Sequence, residues 1–484
     1  MSPLKPKDLQ GDVTLPIRRI PDIAYAFASC EAESSMRPCA LLLALSASFA
    51  LHVPGAEPMK EARLIVLDPG HFHAALVQKD MYPWLAKQVS VYAPLGPDVV
   101  DYLQRIALFN TRRDSPTSWE VELHTGPDFF ERMLRERSGN VVILTGRNRP
   151  KIERILASVE AGLNVLADKP WIITSAELPK LERALDEAEK KGLVAYDIMT
   201  ERYEITSILQ REFVNDEAVF GKLVAGTDAE PGVFAKSVHH LMKVVAGLPL
   251  RRPAWFFDVA ETGEGLADVG THVVDLVQWT AFPRQKVDYK TDVRILGGRR
   301  WPTVISQRAF QHVTGESEFP KYLAGSVKDG KLEYFCNNSV HYTVRDIHVN
   351  LEILWNWEAP PGTGDTYDAV FRGTRARVEI RQGKAEHYVP ELYIVPESAD
   401  VLGAVRGKVQ TLQARYPGLA IEESAGRARI LIPERFRVGH EAHFAQVTNQ
   451  FAEYFRTPHA QPDWEKTNML VKYYVTTKGV EAGK

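Results

Sequence analysis

"VVILTGRNRPKIERILASVEAGLNVLADKPW", residues 141 to 171, decides the fold. A short apolar run opens it, a segment with apolar residues at helical spacing follows, and a second short apolar run leads into Asp168-Lys169-Pro170. The first run and the last read as strands and the middle as a helix. Strands joined through a helix in this way are expected to lie parallel in one sheet.

The same unit recurs on both sides. Upstream stand "ARLIVLD", "HFHAALVQKDM", "QVSVYA", "PDVVDYLQRIALFN", "WEVELHTG" and "PDFFERMLRER"; downstream come "AELPKLERALDEAEKKG" and "VAYDI". Strand and helix alternate from about residue 60 to Asp197, which predicts an α/β domain, a doubly wound, Rossmann-type parallel sheet covered on both faces. Beyond it the texture changes. Helix-like segments at 200–215 and 268–280 precede long β-rich runs such as "GKLEYFCNNSVHYTVRDIHVNLEILWNWEAP", and the chain ends in two helical patterns, "EAHFAQVTNQFAEYFR" and "WEKTNMLVKYYVTTKGVEAG". Residues 198–484 therefore read as an α+β domain with a large, mainly antiparallel open sheet and C-terminal helices, to which the resemblance set out below assigns substrate binding and oligomerisation.

The totals agree with a globular chain. It has 484 residues, 45% of them hydrophobic, and 59 basic against 62 acidic side chains give a net charge of -3 without any block of one sign. Nothing here points to nucleic acid or an anionic membrane. Residues 36–56, within "MRPCALLLALSASFALHVPGAEP", have a short basic start, an apolar stretch too short for a span, and small residues near Gly55 and Ala56. This is the pattern of a signal peptide, so the expected location is exported, periplasmic, with no membrane attachment after processing. Residues 1–35 then form an extension of doubtful origin, and Arg18-Arg19 lacks the apolar lead-in of a twin-arginine signal. Cys30 and Cys39 would be lost on processing; Cys336 alone supports neither a disulfide framework nor a cysteine metal site.

In a doubly wound sheet the first strand-to-helix turn is the usual phosphate cradle. Here it reads "LDPGHFHAAL". Gly70 can take the second position of G-x-G-x-x-G, while Asp68 and His73 replace the first and third. The second strand ends in Ala93-Pro94 with Asp98 the nearest acid, and no arginine follows it to take a 2′-phosphate, so NAD and NADP stay open. "HFH" at 71–73 can chelate on paper, but its place in the turn favours contact with a cofactor. His239 and His240 are adjacent, with no carboxylate in the local sequence to complete a metal site, and read as cleft or surface histidines. No metal is predicted.

"GEGLADVGTHVVDLVQW", residues 263–279, places Asp268, His272 and Asp275 on one face of an otherwise apolar helix. Together with Asp168-Lys169-Pro170 at a strand end, it resembles the Gfo/Idh/MocA family of oxidoreductases (glucose-fructose oxidoreductase, inositol dehydrogenase and relatives), in which the first motif is Glu-Lys-Pro. The resemblance covers most of residues 60–480, and the length of the later domain, with an insert near 395–440, suggests a divergent exported branch. It implies NAD or NADP as cofactor and a hydride exchanged with a secondary alcohol or ketone of a sugar, polyol or glycoside.

His272 is then the base, Asp268 its orienting acid, and Lys169 the stabiliser of developing alkoxide. With His240, these three are expected to bind the substrate. Asp68, Gly70, His71, Phe72, His73, Thr145, Arg147, Asn148, Asp168, Lys169 and Pro170 are expected to line the cofactor; for Asn148, capping the next helix is the alternative. Asp275 is an acid by the resemblance, or simply holds its helix. The implied partners are a small carbohydrate and other copies of the chain in a homo-oligomer. Two other activities share the scaffold: an NAD-dependent glycoside hydrolase working through transient oxidation and elimination, and a non-catalytic sugar-binding protein.

Overall fold

The computed structural model describes residues 61–484 apart from 246, 247, 250, 425 and 458. The expected extension (1–35) and export signal (36–56) lie outside the described residues. Six strands, β1 (Ala62–Leu67), β2 (Leu85–Ala93), β3 (Glu120–Thr125), β4 (Val141–Leu144), β5 (Asn164–Ala167) and β6 (Ala195–Asp197), form a parallel sheet in the order β3-β2-β1-β4-β5-β6. This is the dinucleotide-binding order, with its switch point between β1 and β4. β4 and β5 are buried at every residue, which is why they read as unbroken apolar runs rather than alternating ones.

Helices α1 (His73–Val77), α2 (Pro97–Thr111), α3 (Phe129–Glu136), α4 (Lys151–Glu160) and α5 (Leu178–Lys190) connect these strands. The α1 pattern predicts three turns and the structure has barely more than one. The Gln78 carbonyl is taken by Trp119 Nε1 (2.6 Å) and that of Lys79 by Arg112 Nη2 (2.7 Å), so neither is left to continue the helix.

The two faces of the sheet close with residues from the far end of the chain. Val66, Val91 and Ile143 pack with Phe444, Val447 and Phe451 of the His440–Arg456 helix. Ile65, Val142 and Val165 pack with α4, α5 and with Met469 and Tyr473 of the final helix, Asp463–Ala482.

After α6 (Ile205–Val214) comes a ten-stranded sheet. Its central strand β7 (Val233–Met242) pairs parallel with Ile347–Glu358 and antiparallel with Thr366–Arg372; every other pairing in the sheet is antiparallel. The Gly265–Ala281 helix lies on this sheet so closely that a Cβ on Gly265 would stand 2.0 Å from the Cys336 carbonyl oxygen. That contact accounts for the glycine at the helix entrance.

One polar cluster ties the parts together. Asp275 receives Arg202 through both oxygens (2.6 and 2.7 Å) and Lys472 Nζ at 3.1 Å. Arg202 also holds Glu465 (2.7 and 3.0 Å), and Lys472 reaches Asp197 at the end of β6 (2.7 Å). All five side chains are buried. Burial opposes ionisation of Asp275, but Arg202 and Lys472 outweigh it and hold the carboxyl below its usual range.

Asp275→Asn leaves two buried cations short of a carboxylate and is expected to cost about 3–5 kcal/mol, read as a lowered urea midpoint at pH 7. Because the folded carboxyl titrates low, its contribution is complete above about pH 4 and fades as the pH falls toward the folded value. The gap between wild type and variant should therefore narrow only below about pH 4; equal midpoints at pH 7 would refute the role given to the cluster.

Candidate active site

The carboxyl ends of β1, β2 and β4 open on a cleft of about 700 Å³ lined by Asp68, Ala93, Asp98, Arg147, Arg149 and Arg154 among others. Its size and its place at the switch point suit a nucleotide. Asp68 has φ +48°, the left-handed conformation for which the fingerprint's first position uses glycine. Asp is among the few residues that tolerate it, and here its carboxylate is fixed by Arg154 Nη1 at 2.6 Å. A Cβ on Gly70 would meet Gly146, Asp98 and Trp255 at 3.4–3.6 Å, ordinary contact distance.

No arginine follows β2 in the sequence, yet three line the cleft beside it. Arg147, Arg149 and Arg154 arrive from the β4 loop and α4. Each faces an acid. Arg154 pairs with Asp68, Arg147 lies 3.9 Å from Asp98 and over the Trp255 ring, and Arg149 is 3.6 Å from Glu261. Burial raises the Asp98 carboxyl against the pull of Trp255 and Arg147.

The β4 loop also docks on the lead-in to the Gly265–Ala281 helix. Asn148 Nδ2 donates to the Thr262 carbonyl (2.8 Å), and the Asn148 and Arg149 amides donate to that of Glu261. Its side chain thus ties two segments 114 residues apart and does not cap α4. Thr145 Oγ1 donates to the His71 carbonyl (3.2 Å).

At the end of β5, Lys169 Nζ donates to Asp268 Oδ1 (2.5 Å) and to the Asp268 carbonyl (3.0 Å), and the Lys169–Pro170 peptide is cis. Lys169 is nearly buried, with its side chain 9% exposed. Burial opposes its charge, but Asp268 and then Asp168 raise its pKa above the ordinary lysine value. Reciprocally, burial works against ionisation of Asp268, and the Lys169 ammonium holds its carboxyl below the usual range.

Asp268 is thus the partner of Lys169, where the sequence suggested it would orient the imidazole. His272 lies one turn further along, its Nδ1 buried without a hydrogen-bond partner. Burial first, then Lys169 and His440, keep its pKa well below 6.5, so at neutral pH it is an uncharged imidazole with an unsatisfied nitrogen.

Asp168 points the other way, toward the phosphate turn. His73 Nδ1 is 2.8 Å from Asp168 Oδ2; His71 Nδ1 is 3.3 Å from the same oxygen but not aligned for a hydrogen bond. Phe72 is exposed and His73 buried. His240 is buried, and both it and His239 reach Asp365, at 3.1 and 3.2 Å. The sequence reading found no carboxylate for this pair. Asp365 is one, brought 125 residues back by the pairing of β7 with Thr366–Arg372.

Other groups escaped the sequence altogether. Lys151 is buried, donates to Asn148 Oδ1 (2.6 Å) and the Asp168 carbonyl (3.0 Å), and is lowered to about 8 by burial, partly offset by Asp168. The Glu201 carboxyl is raised to about 7 by burial and by Glu204, against the attraction of Lys169. The His440 ring lies 5.5 Å from that of His73, tilted by 43°. A lysine at a helix start and a Glu in "TERYE" carry no pattern that marks them.

Comparison with known proteins agrees with this architecture. The family described as "Putative oxidoreductase C terminal domain" matches residues 209–484, more than half of the chain. The chain belongs to that oxidoreductase family. It is similar to a "putative oxidoreductase" from Parabacteroides merdae ATCC 43184, at 44% identity over 88% of this chain and 98% of that one, with a TM-score of 0.86. More distant is GenD2 from gentamicin A biosynthesis, solved in complex with NAD (15% identity, 89% and 97% covered, TM-score 0.51). A variant of KijD10, a 3-ketoreductase from Actinomadura kijaniata solved with TDP-benzene and NADP, stands at 14% identity, 86% and 96% covered, and a TM-score of 0.50. These two share the fold. No curated protein matches the chain. Among the described residues no helix is long and apolar enough to cross a membrane.

The electrostatics around His272 are testable by side-chain NMR of the histidines. His272 should show no protonation step down to about pH 5.5, where a free imidazole is largely charged. Lys169→Met removes a repelling charge and should move its midpoint upward. A wild-type midpoint near 6.5 would contradict the environment described.

Proposed function

We propose that the protein is an NAD(P)-dependent oxidoreductase that interconverts a secondary alcohol and a ketone on a sugar, polyol or glycoside. The observation that carries this reading is the Lys169–Asp268 pair, which joins the end of β5 to the Gly265–Ala281 helix, with the unpartnered Nδ1 of His272 one turn away. Membership of an oxidoreductase family supports it. The cleft at β1, β2 and β4 has the size and the arginines for a dinucleotide, and proteins of the same fold have been solved with NAD or NADP.

In this reading Asp68, Gly70, His71, Phe72, His73, Thr145, Arg147, Asn148, Asp168 and Pro170 surround the cofactor, and Arg149 and Arg154 join them. The bound nicotinamide supplies the hydride acceptor or donor. Lys169, kept charged by Asp268, holds the substrate oxygen and stabilises negative charge as it develops there. His272, uncharged at neutral pH, takes the hydroxyl proton on Nδ1 during oxidation and returns it during reduction. His240 and His239, fixed by Asp365, border the sugar. Residues 36–56 direct export to the periplasm, and the open face of the ten-stranded sheet joins copies into a homo-oligomer.

The glycoside hydrolase is the second reading, and Glu201 favours it. A carboxyl titrating at about 7 near Lys169 is a second proton carrier, which elimination of a leaving group needs and simple hydride exchange does not.

Protein purified without added nucleotide is to be denatured and the supernatant examined by mass spectrometry. Near-stoichiometric NAD or NADP is expected if the cofactor is recycled in place; if none is released, added cofactor should bind. Failure of both removes the proposal. Lys169→Ala and His272→Ala should each lower kcat about 10²–10⁴-fold, and full activity in either would sink the assigned roles. Glu201→Gln should spare alcohol oxidation while abolishing release of an aryl leaving group.

A further inference from the structure

Three polar side chains from two separate turns meet at one point. His71 and His73 stand in the phosphate turn, His73 where the fingerprint has its third glycine, and Asp168 stands where the Glu-Lys-Pro motif has glutamate. In the folded chain both imidazole Nδ1 atoms face the same oxygen, Asp168 Oδ2, at 2.8 and 3.3 Å. The three ligand atoms all lie within 4.8 Å of one another. Ligands bound to tetrahedral zinc at about 2.0–2.2 Å stand roughly 3.3–3.6 Å apart. Little movement separates the observed arrangement from a coordinated one.

Two atoms of this group are left over. His71 Nδ1 and Asp168 Oδ1 are buried with no hydrogen-bond partner, a condition that calls for a ligand or a functional cause. The surroundings suit a metal ligand set. The His73 ring packs against Phe444 at 4.6 Å and Phe72 at 4.5 Å, an apolar wall, while the His71 side chain is 35% exposed and leaves a way in. Two imidazoles and one carboxylate leave further coordination positions open, as in sites that handle a substrate or water.

We propose that His71, His73 and Asp168 bind one divalent first-row transition-metal ion, with its open positions available to water or to a substrate oxygen. The inference does not depend on nicotinamide chemistry, because it rests on ligand geometry alone. A second group, Asp228, His341 and His348, has mutual distances of 3.1–3.3 Å. Its aspartate is 74% exposed and none of its atoms is orphaned in the interior, so it serves as the internal control.

The full-length chain is to be stripped with EDTA, dialysed and titrated with Zn²⁺ against a chromophoric chelator, and bound metal counted by mass spectrometry. We expect one tight equivalent that Asp228→Ala keeps and His71→Ala loses. Loss of an outer-shell partner alone costs about 10–100-fold in affinity, so removal of a ligand should exceed about 100-fold. His71 is exposed enough that its alanine variant should keep the fold, checked by circular dichroism; Asp168→Asn is the second variant, with the same expected loss. Absence of any tight equivalent in the wild type overturns the site, as does a tight equivalent that survives both His71→Ala and Asp168→Asn.

Discussion

The structure turns on the buried charge cluster around Asp275. It contains two cations, Arg202 and Lys472, and three carboxyls, Asp197, Asp275 and Glu465. Burial raises the pKa of Glu465 despite the pull of Arg202. Such clusters are weak contributors to net stability, since well-packed apolar residues can often replace them. What this one supplies is register. Only one rotation of the Gly265–Ala281 helix sets Asp275 between Arg202 and Lys472. Seven residues earlier, two turns along nearly the same face, that rotation turns Asp268 toward Lys169.

This coupling explains how a site can be shared by distant segments. β6 contributes Asp197, the turn after it Arg202, and the last helix Lys472 and Glu465. The last two helices also complete both cores of the parallel sheet, so the chain cannot finish its first sheet until its final residues arrive. Residues that hold the Lys169–Asp268 geometry are thus drawn from the last strand of the first sheet, the turn after it and the final helix.

Much of this was legible in the sequence. Unbroken apolar runs separated by amphipathic segments identified the parallel sheet, because strands buried on both faces have no alternative pattern. Asp268 and His272 stood out because polar groups within an apolar helix conflict with their surroundings, and Lys169 only through the likeness of Asp168-Lys169-Pro170 to a family motif. What stayed hidden depends on long-range placement. Arg154 meets Asp68 across 86 residues and Asp365 meets His240 across 125, and no periodicity encodes either encounter. Asp68 read as a lost glycine, although its backbone does the glycine's work. The partner of Asp268 was hidden for a similar reason: spacing places it one turn from His272, while only folding brings Lys169 to it.

Two buried lysines at the site show how local partners decide chemistry. Lys151 donates to an amide oxygen and a backbone carbonyl but to no carboxylate, and burial, which the charge of Asp168 offsets only in part, lowers its pKa to about 8. Lys169 is buried too, but a carboxylate faces it, and its pKa rises. The difference lies in Asp268. Without that carboxylate, Lys169 would be driven toward the neutral state as Lys151 is. Its positive field, which acts after burial to keep the His272 pKa low, would weaken with it. Asp268 therefore acts on Lys169 directly and on His272 only through it, and its place on the helix, one turn before His272 and two before Asp275, is what allows a single helix to do so.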